Sequence, residues 1–513
     1  MDANADTMPI NALIRLISAG DEAASAIGAP DREWLTYGAL RAQTANTVST
    51  LNRLGVGRND RVAIVLPNGP EMAVAFVAIA AGATTAPLNP AYRGDEFRFY
   101  LEDLGAKALV VERGSTSEAV QAARDLAIPV FELDASAGEP AGSFTLAGEP
   151  VAAAPDQIGF AEPDDTALVL HTSGTTSRPK IVPLSHTNIC SSARHIAATL
   201  ALSPGDRCLN VMPLFHIHGL IAAVLSTLSA GASISCTPGF NALKFFPWLE
   251  AVAPTWYTAV PTMHQAILSR AGRNQGIVKA NPLRLIRSSS SSLPPQVMAE
   301  LEATFAAPVI EAYGMTEAAH QMASNPLPPA QRKPGTVGRA AGPEVAIMDE
   351  AGALLDQGGI GEVVIRGPNV TGGYENNPKA NAEAFSGGWF HTGDQGQIDA
   401  DGYLRLTGRL KEIINRGGEK ISPREVDEVL MDHPAVEQVV TFAQPHDKLG
   451  EDVAAAIVLR DGEDVDTQAI RDFARKRLAD FKVPRTVIFL DEIPKGATGK
   501  LQRIGLADKL GLA

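Results

Sequence analysis

The segment at residues 172–180 combines hydroxyl side chains, one glycine and two cations, and reads TSGTTSRPK. Hydroxyl and backbone N–H groups in such a loop can donate hydrogen bonds to phosphate oxygens, while Arg178 and Lys180 add positive charge. A Walker A loop would require GxxxxGK followed by Ser or Thr, whereas Lys180 is followed by Ile181. The segment therefore predicts a phosphate contact of another kind. A solvated Ser/Thr loop stays an open alternative when the segment is taken alone.

Further segments downstream also place charged, hydroxyl or aromatic side chains beside glycines. In chain order they read EAYGMTE at 311–317, GWFHTGD at 388–394, GYLRLTGRLKEII at 402–414, GGEKI at 417–421 and PKGATGKL at 494–501. Each has a structural alternative when it is considered by itself. Asp394 can be a turn residue, Lys411 an ordinary exposed lysine, and Lys495 a solvated or structural one.

Taken together, in this order and spacing, the segments resemble the adenylate-forming superfamily of acyl-CoA synthetases, peptide-synthetase adenylation domains and beetle luciferases. The likeness runs from about residue 165 to 503, and the first 160 residues fit the same layout. Such enzymes convert a carboxylate into an acyl-adenylate by attack on the α-phosphate of ATP, since a carboxylate alone has no good leaving group. Cations and Mg²⁺ stabilise the charge that gathers in the transition state. The resemblance implies ATP, Mg²⁺ and coenzyme A as cofactors and co-substrates.

The resemblance also implies residue roles. Nucleotide binding falls on Thr172, Ser173, Gly174, Thr175, Thr176, Lys180, Glu311, Ala312, Tyr313, Gly314, Thr316, Asp394 and Arg409. Within that set the 172–180 loop cradles the β- and γ-phosphates, Tyr313 stacks near the adenine, and Asp394 and Arg409 bond the ribose hydroxyls. Catalytic roles fall on Lys500, Thr316, Glu317 and His216. Thr316 touches the α-phosphate, Glu317 holds Mg²⁺, and Lys500 reaches the α-phosphate and the acyl oxygen.

The elements that must position these residues fall into two parts. Strand-like and helix-like segments alternate through the first half, as at 61–66 and 71–79, which predicts an α/β fold with mostly parallel sheets in several subdomains. Ser422 and Glu425 form a capping box with Pro423 at the first helical position, and they open a small α+β module. We place a large N-terminal domain at 1–408 and a small C-terminal domain at 409–513, with a hinge near 409–411.

A hinge would resolve a conflict between the two half-reactions, because Lys500 and the incoming thiol need the same space. By resemblance, the small domain rotates about Lys411 after adenylation. The rotation then presents Gly417, Gly418 and Glu419 to the pantetheine arm of coenzyme A.

The residues expected around the acid point to a small polar substrate. Arg287 precedes five serines at 288–292, and a cation with hydroxyls fits a fatty acyl chain poorly because burying unpaired charge beside methylenes costs free energy. These residues, WYTAVPTMHQ at 256–265, PLFHIHGL at 213–220 and MTEAAH at 315–320 resemble the oxalate–CoA ligases. The resemblance implies ATP-dependent ligation of oxalate to coenzyme A. We expect the distal carboxylate to contact His216, Ser290, Ser291, His320 and Arg287.

Other interpretations stay open. Arg287 can be a structural ion pair at a strand end, and His264 is expected to be a buried helix histidine. The acid can be malonate, a short-chain acid or an aryl acid, and the acceptor can be a carrier protein. A catalytically impaired ATP-binding or scaffold protein is disfavoured because Glu317, Asp394, Arg409 and Lys500 are all present. Members of the superfamily usually carry glycine directly after the loop lysine, whereas this chain has Ile181. Either the backbone is extended at that position, or the loop is less mobile.

Composition narrows the remaining classes. The 513 residues carry a net charge of −14, which disfavours a nucleic-acid binder. Cys190, Cys208 and Cys236 lie far apart without a CxxC pattern, which disfavours a disulfide framework and a cysteine metal site. With no recognisable signal segment, membrane span or peroxisomal tripeptide, we expect a soluble cytoplasmic protein that is a monomer or a homodimer.

Overall fold

Sheet A forms the first layer of the large domain. The structure, a computed structural model, describes residues 11–136, 138–172, 179–494 and 503–512. Within these ranges sheet A has five central parallel strands and one antiparallel strand at each edge. In spatial order its strands are Thr145–Gly148, Val130–Asp134, Ala108–Glu112, Arg61–Val65, Thr84–Pro87, Thr166–Thr172 and Lys180–Ser185. The predicted strand at 61–66 is confirmed as Arg61–Val65.

Sheet B forms the second layer and is parallel through its centre, with antiparallel strands at its edges. In spatial order its strands are Arg339–Ala340, His320–Ser324, Val309–Met315, Leu285–Ser288, Trp256–Ala259, Arg207–Asn210, Ser233–Cys236, Ser25–Gly28 and Leu35–Thr36. The helix Pro70–Ala80 is apolar on nearly all sides, and it lies buried in the apolar cluster shared by the two sheets. Its proline stands at the first helical position, where a missing N–H costs nothing.

Sheet C is antiparallel and follows sheet B in the chain. Its strands are Glu344–Met348, Ile360–Arg366, Phe385–Ser386, Trp389–Ile398 and Leu404–Arg409. The last of these lies in the 402–414 segment and ends at Arg409. The short 3₁₀ helix Leu410–Glu412 follows at once, at the predicted hinge.

The C-terminal part has its own sheet and its own apolar cluster. Sheet D comprises Ile414–Arg416, Glu419–Ile421, Val436–His446, Gly450–Leu459 and Thr486–Phe489. The helix Pro423–Met431 begins at Ser422, whose Oγ accepts a hydrogen bond from the Glu425 N–H at 3.3 Å. Val426 and Leu430 of that helix pack with Ile457 and Ile470, as a separately folding domain requires. The exact boundary at 408/409 stays a prediction.

The remaining helices cover the sheet faces or connect the strands. The α-helices are Leu13–Leu16, Tyr37–Arg53, Gly94–Leu104, Glu118–Asp125, His186–Thr199, Ser226–Ser229, Phe245–Val252, Pro261–Ala271, Gln275–Ala280, Pro295–Phe305, Pro378–Ala384, Thr467–Arg475 and Leu506–Lys509. A π-helix spans His218–Leu225, and further 3₁₀ helices span Gly272–Asn274, Thr316–Ala318 and Asp480–Lys482. Of the helices in the described ranges, none has both the length and the apolar character needed to cross a bilayer.

Three features answer specific expectations. Cys190, Cys208 and Cys236 are buried free thiols, as expected from their spacing. His264 is fully buried in its helix, and its Nδ1 lies 3.1 Å from the Tyr257 hydroxyl. Ile181 lies in an extended strand opposite His171 and is 5% exposed, so the backbone needs no glycine at that position.

Candidate active site

A cavity of about 1300 Å³ lies between the large domain and the C-terminal part. It opens where the parallel strands Trp256–Ala259, Leu285–Ser288 and Val309–Met315 of sheet B end, the usual place for a ligand in an open α/β sheet. The predicted site residues that line it are Thr172, Lys180, His216, Ser290, Ser291, Ala312, Tyr313, Gly314, Thr316, Glu317, Asp394, Arg409 and Lys411. Segments predicted as separate motifs therefore share one cavity.

One side of the cavity is formed by Asp394, Arg409 and Tyr313. Asp394 and Arg409 are partners on neighbouring antiparallel strands, and Arg409 Nε donates to Asp394 Oδ1 at 2.9 Å. The Tyr313 hydroxyl donates to the other oxygen of the same carboxylate. Attraction by Asp394 raises the pKa of Arg409 further above its already high value. These three side chains hold one another in place while still facing the cavity.

Glu317 and Lys180 lie on either side of Tyr374. Glu317 is 7% exposed in a short 3₁₀ helix, and its Oε1 accepts a hydrogen bond from the Tyr374 hydroxyl at 2.8 Å. Lys180 Nζ lies 4.2 Å from the centre of the Tyr374 ring. A phosphate chain between Lys180 and Glu317 would meet a cation at one end and a carboxylate at the other.

The carboxylate of Glu317 also fits a Mg²⁺ ion that the nucleotide brings with it. No group of three or more potential ligands occurs in the described part of the chain. Mg²⁺ usually keeps several waters and takes one or two carboxylates together with substrate phosphates. One buried carboxylate beside a phosphate site is therefore a suitable donor set.

The other side of the cavity leads into a buried group of polar side chains, which we call the acid-side cluster: Ser290, His218, Thr258, His320 and Arg287. His218 Nδ1 lies 3.0 Å from Ser290 Oγ, and His218 Nε2 lies 2.6 Å from Thr258 Oγ1. The rings of His218 and His320 meet edge to face with 5.0 Å between their centres. Arg287 Nη2 reaches His320 Nδ1 at 3.5 Å and Gln321 Oε1 at 3.4 Å. A continuous polar chain thus runs inward from the cavity.

Two histidines of the HIH segment take different positions. His216 lines the cavity, and its Nδ1 accepts the His218 N–H at 3.3 Å. His218 is fully buried, begins the π-helix His218–Leu225 and makes the contacts to Ser290 and Thr258. Sequence reasoning selected His216 and missed His218 and Thr258. The HIH spacing was a visible signal, but it did not say which ring would face the cluster.

Arg287 occupies a different place from the one predicted. Its side chain is fully buried and does not line the cavity, although Ser290 and Ser291 do. A contact between Arg287 and a bound acid would therefore have to pass through His320.

Three residues in and beside the acid-side cluster have unusual backbone conformations. Ser290, Ala319 and His320 have φ angles of 72°, 46° and 100°, in a region that residues other than glycine seldom adopt. Gly314 is required beside them, because a Cβ at that position would lie 1.7 Å from the His320 carbonyl oxygen. Such strain is often found at functional sites, where the surrounding fold holds it in place.

Glu311 lies behind the cavity rather than in it. Its side chain is 1% exposed, and Oε1 accepts the Leu293 N–H at 3.0 Å. Burial raises the pKa of this carboxyl to about 7, while the positive charge of Arg424 opposes that rise. Ser289 Oγ donates to the Ala312 carbonyl oxygen at 2.8 Å. Glu311 therefore anchors the loop that carries Ser290, instead of facing a nucleotide as predicted.

The residues predicted to serve coenzyme A lie mostly outside the cavity. Gly417, Gly418 and Glu419 are exposed at the turn of the hairpin formed by Ile414–Arg416 and Glu419–Ile421. Both glycines have positive φ, 61° and 100°, as a two-residue hairpin turn requires. Ser173, Gly174, Thr175 and Thr176 of the predicted phosphate loop, together with Lys495 and Lys500, lie outside the described residues.

Side-chain contacts between the two parts of the molecule are polar. Arg405 Nη2 lies 3.2 Å from Glu428 Oε2, and Gln265 Nε2 donates to the Glu437 carbonyl oxygen at 3.5 Å. The Lys420–Glu350 pair is longer, at 3.6 Å, and both side chains are exposed. Exposed ion pairs contribute little free energy, so an interface of this kind can separate and re-form.

Comparison with known proteins agrees with this geometry. The AMP-binding enzyme family matches residues 18–375, and the AMP-binding enzyme C-terminal domain matches residues 425–500. A protein named oxalate–CoA ligase from Arabidopsis thaliana is 47% identical, with 91% of this chain and 92% of that one covered. A second oxalate–CoA ligase, from Saccharomyces cerevisiae, is 45% identical, with 88% and 87% covered.

Among solved structures, ATP-bound MatB from Rhodopseudomonas palustris has a TM-score of 0.88 at 30% identity, covering 98% of this chain and 99% of that one. The apo form of the same protein has a TM-score of 0.79 over the same shares of the two chains. This chain is thus more similar overall to the ATP-bound form than to the apo form. The motifs, the shared cavity and the matches over most of the length lead to one conclusion: this chain belongs to the AMP-binding enzyme family.

Proposed function

We propose that the protein is an ATP-dependent oxalate–CoA ligase. In the first step an oxalate oxygen bonds to the α-phosphorus of ATP and the bond to pyrophosphate breaks, which gives oxalyl-AMP. In the second step the thiol of coenzyme A bonds to the acyl carbon and AMP leaves. The observation that carries the proposal is the acid-side cluster, because cavity-lining Ser290 contacts the buried polar ring of His218. The two relatives named oxalate–CoA ligase support the same substrate.

The hydrogen bonds of the cluster can be oriented toward an anion. Thr258 Oγ1 donates to His218 Nε2, His218 Nδ1 donates to Ser290 Oγ, and Ser290 then has its own hydroxyl hydrogen to give. That hydrogen goes to the distal carboxylate of oxalate, the one that does not react. A charge-assisted bond of this kind is stronger than one to a neutral group. His216 and Ser291 line the cavity, and we place them beside the carboxylate that reacts.

The nucleotide is held on the opposite side. Asp394 and Arg409 bind the ribose hydroxyls, Tyr313 borders the adenine, and Thr172 and Lys180 contact the phosphates together with the 173–176 loop. Thr316 and Lys500 contact the α-phosphate, where they stabilise the charge of the transition state. Glu317 and the phosphates would hold Mg²⁺, which would supply positive charge to the departing pyrophosphate.

The second step requires a different position of the small domain. The Gly417–Gly418 turn lies outside the cavity in the arrangement described above, so it must move to meet the pantetheine arm. Lys411 lies at the cavity in the short 3₁₀ helix between the two parts, where a small change in φ and ψ moves the whole domain. We assign the hinge to this residue.

The first experiment measures AMP release with ATP, Mg²⁺ and coenzyme A across oxalate, malonate, acetate, octanoate and 4-coumarate. Turnover on oxalate that depends on coenzyme A is expected, with little turnover on the monocarboxylates. Turnover on octanoate or 4-coumarate without turnover on oxalate would reject the proposal. Malonate is the second candidate, because it also carries a second carboxylate for the acid-side cluster.

A pair of lysine variants tests the assignment of the first step. Lys500→Ala is expected to lower oxalate-dependent pyrophosphate release by about 1000-fold, since it removes a cation at the α-phosphate. Thioester formation from added oxalyl-AMP should continue in that variant. Lys495→Ala, five residues earlier in the same motif, is the matched control and should keep most activity. Equal losses in the two variants would contradict the role given to Lys500.

A further inference from the structure

We propose that Arg287 is a positioning residue that makes the site prefer acids with a second negative charge, and that it acts through His320 without touching the substrate. The proposal deepens the function proposed above, because it names the element of the fold that selects for charge. It rests on the position of Arg287, the direction of its hydrogen bonds and the lack of a partner for its charge.

The register of sheet B brings Arg287 to the acid-side cluster. Arg287 pairs with Thr258 on one side and with Ile310 on the other, in parallel register. Partners in neighbouring parallel strands project to the same face of a sheet. Thr258 binds His218 on that face, so His218 and Arg287 approach the same small volume from adjacent strands. His320 lies between them, with its ring against His218 and its Nδ1 against Arg287.

The direction of the Arg287 hydrogen bond fixes the state of His320. A guanidinium group donates and never accepts, so His320 Nδ1 must be the acceptor at 3.5 Å. The ring hydrogen of His320 then resides on Nε2. Gln321 Oε1 accepts from the same Arg287 nitrogen at 3.4 Å, which keeps the guanidinium in this orientation.

Among the described residues, the charge of Arg287 has no carboxylate counterpart. Its side chain is fully buried, and Nε and Nη1 have no hydrogen-bond partner within the described residues. No carboxylate in the described ranges forms an ion pair with it, so the structural ion pair considered from the sequence is not found there. Burial lowers the pKa of Arg287 to about 9, which leaves it a cation at neutral pH.

A buried cation without a carboxylate partner is costly, and an anion bound nearby reduces that cost. A substrate that lacks the second carboxylate would lose this interaction, and a neutral group of the same size in its place would not restore it. Arg287 therefore contributes mainly to the preference for a dianion over a monoanion. Its contribution to the binding of acids in general is smaller. The effect is electrostatic and passes through the His320 and His218 rings to the Ser290 hydroxyl.

The test compares Arg287→Gln with Arg287→Lys. Glutamine keeps a hydrogen-bond donor and loses the charge, whereas lysine keeps the charge and loses the planar fork. For each enzyme, kcat/KM is measured for oxalate and for glycolate, which replaces the second carboxylate with a neutral hydroxymethyl group. The same ratio is measured for malonate and propionate. The KM for ATP and the thermal unfolding midpoint report on the rest of the fold.

Arg287→Gln is expected to lower the oxalate-to-glycolate ratio by about 30-fold, mainly through the KM for oxalate, with the KM for ATP unchanged. Arg287→Lys should retain the ratio within about fivefold of wild type. Equal losses on oxalate and glycolate, or the same ratio in both variants, would overturn the proposal in favour of a purely structural arginine. If Arg287→Gln does not fold, Arg287→Met provides the neutral comparison.

The acid pairs separate this proposal from the function proposed above. A wild-type enzyme that ignores oxalate but prefers malonate to propionate rejects the oxalate assignment, and the malonate pair then decides the role of Arg287. A wild-type enzyme without preference for either dianion contradicts both.

Discussion

Arg409 and Arg287 belong to two sides of one site and differ in how their charge is balanced. Arg409 is 45% exposed, and its Nε donates to Asp394 Oδ1 at 2.9 Å. Arg287 is fully buried and has no carboxylate partner among the described residues. An arginine already neutralised by an aspartate is suited to uncharged hydroxyls such as those of ribose. An arginine without a partner is suited to a ligand that brings its own negative charge.

The pair at Arg409 can be broken from the aspartate side, and among changes at these two sides of the site this should have the largest effect on turnover. Asp394→Asn leaves Arg409 and the Tyr313 hydroxyl without their shared carboxylate. We expect kcat/KM for ATP to fall about 100-fold, or roughly 2.7 kcal/mol, with little change in the preference between acids. Asp399→Asn, which removes a partner of Lys333 at 2.7 Å, is a control outside the cavity. Similar losses in both variants would mean that the pair has no special role.

On the other side, the two histidines of the HIH segment are matched probes. His218→Gln should lower kcat/KM for oxalate about 30-fold, since it disrupts the bonds to Ser290 and Thr258 and leaves buried hydroxyls poorly paired. His216→Gln at the cavity surface should cost less than fivefold in the same assay. Steady-state kinetics with oxalate as the varied substrate distinguishes them. A larger loss in His216→Gln than in His218→Gln would mean that the acid binds beside His216.

The protonation state of Glu311 decides whether this carboxyl group could balance the charge of Arg287. It pairs with Ser288 in the strand register, next to the Arg287–Ile310 pair, but burial raises its pKa to about 7. A raised pKa means that ionisation destabilises the fold, so stability is fully present below the unfolded pKa of 4.5 and is lost as pH rises through about 7.

Glu311→Gln removes this pH dependence and keeps the acceptor for the Leu293 N–H. Relative to wild type, the free energy of unfolding of the variant should rise by about 3 kcal/mol between pH 4.5 and pH 8. Denaturant titrations across that range measure it. A difference that does not change with pH would imply an ionised, stabilised Glu311, and would weaken the contrast between the two arginines.

Ile181 should have the smallest effect on turnover. Its side chain packs in the apolar cluster beside sheet A, so Ile181→Gly should lower the free energy of unfolding by about 3 kcal/mol through a cavity and a more flexible strand. Turnover on oxalate should stay within threefold at a temperature where both enzymes are folded. Ile181→Val, which keeps most of the packing, is the control. A large gain in turnover in Ile181→Gly would show that isoleucine at this position limits a motion of Lys180 that the reaction needs.

Local sequence was enough to predict several elements of the fold and many of the side chains that share the cavity. Residues 61–66 read as a strand, and Ser422 with Glu425 predicted the start of the helix Pro423–Met431, because apolar patterning and capping depend on neighbours in the chain. Tyr313, Asp394 and Arg409 were selected from separate motifs, and the structure brings them together through bonds to one carboxylate. The types of these side chains and the order of the motifs sufficed to predict an adenylating enzyme.

Partners far apart in the chain could not be predicted in this way. The choice of His218 over His216 depends on Thr258 and Ser290, which lie 40 and 72 residues away. Glu311 was assigned to the nucleotide, but it binds the Leu293 N–H, 18 residues earlier. In each case a strand residue meets a partner on a helix or a loop, and the packing of the whole domain sets the place of that partner. No local pattern contains such a contact.

The sequence by itself determined which reactive side chains this protein has available: hydroxyls and cations at 172–180, an aspartate and an arginine in two later motifs, and an arginine followed by serines. Only the tertiary structure decided that Arg287 is buried without a carboxylate partner among the described residues and is connected to the cavity through His320. The reason is physical. Burial and the balance of charge depend on every side chain packed around a group, and these come from strands and loops far apart in the chain.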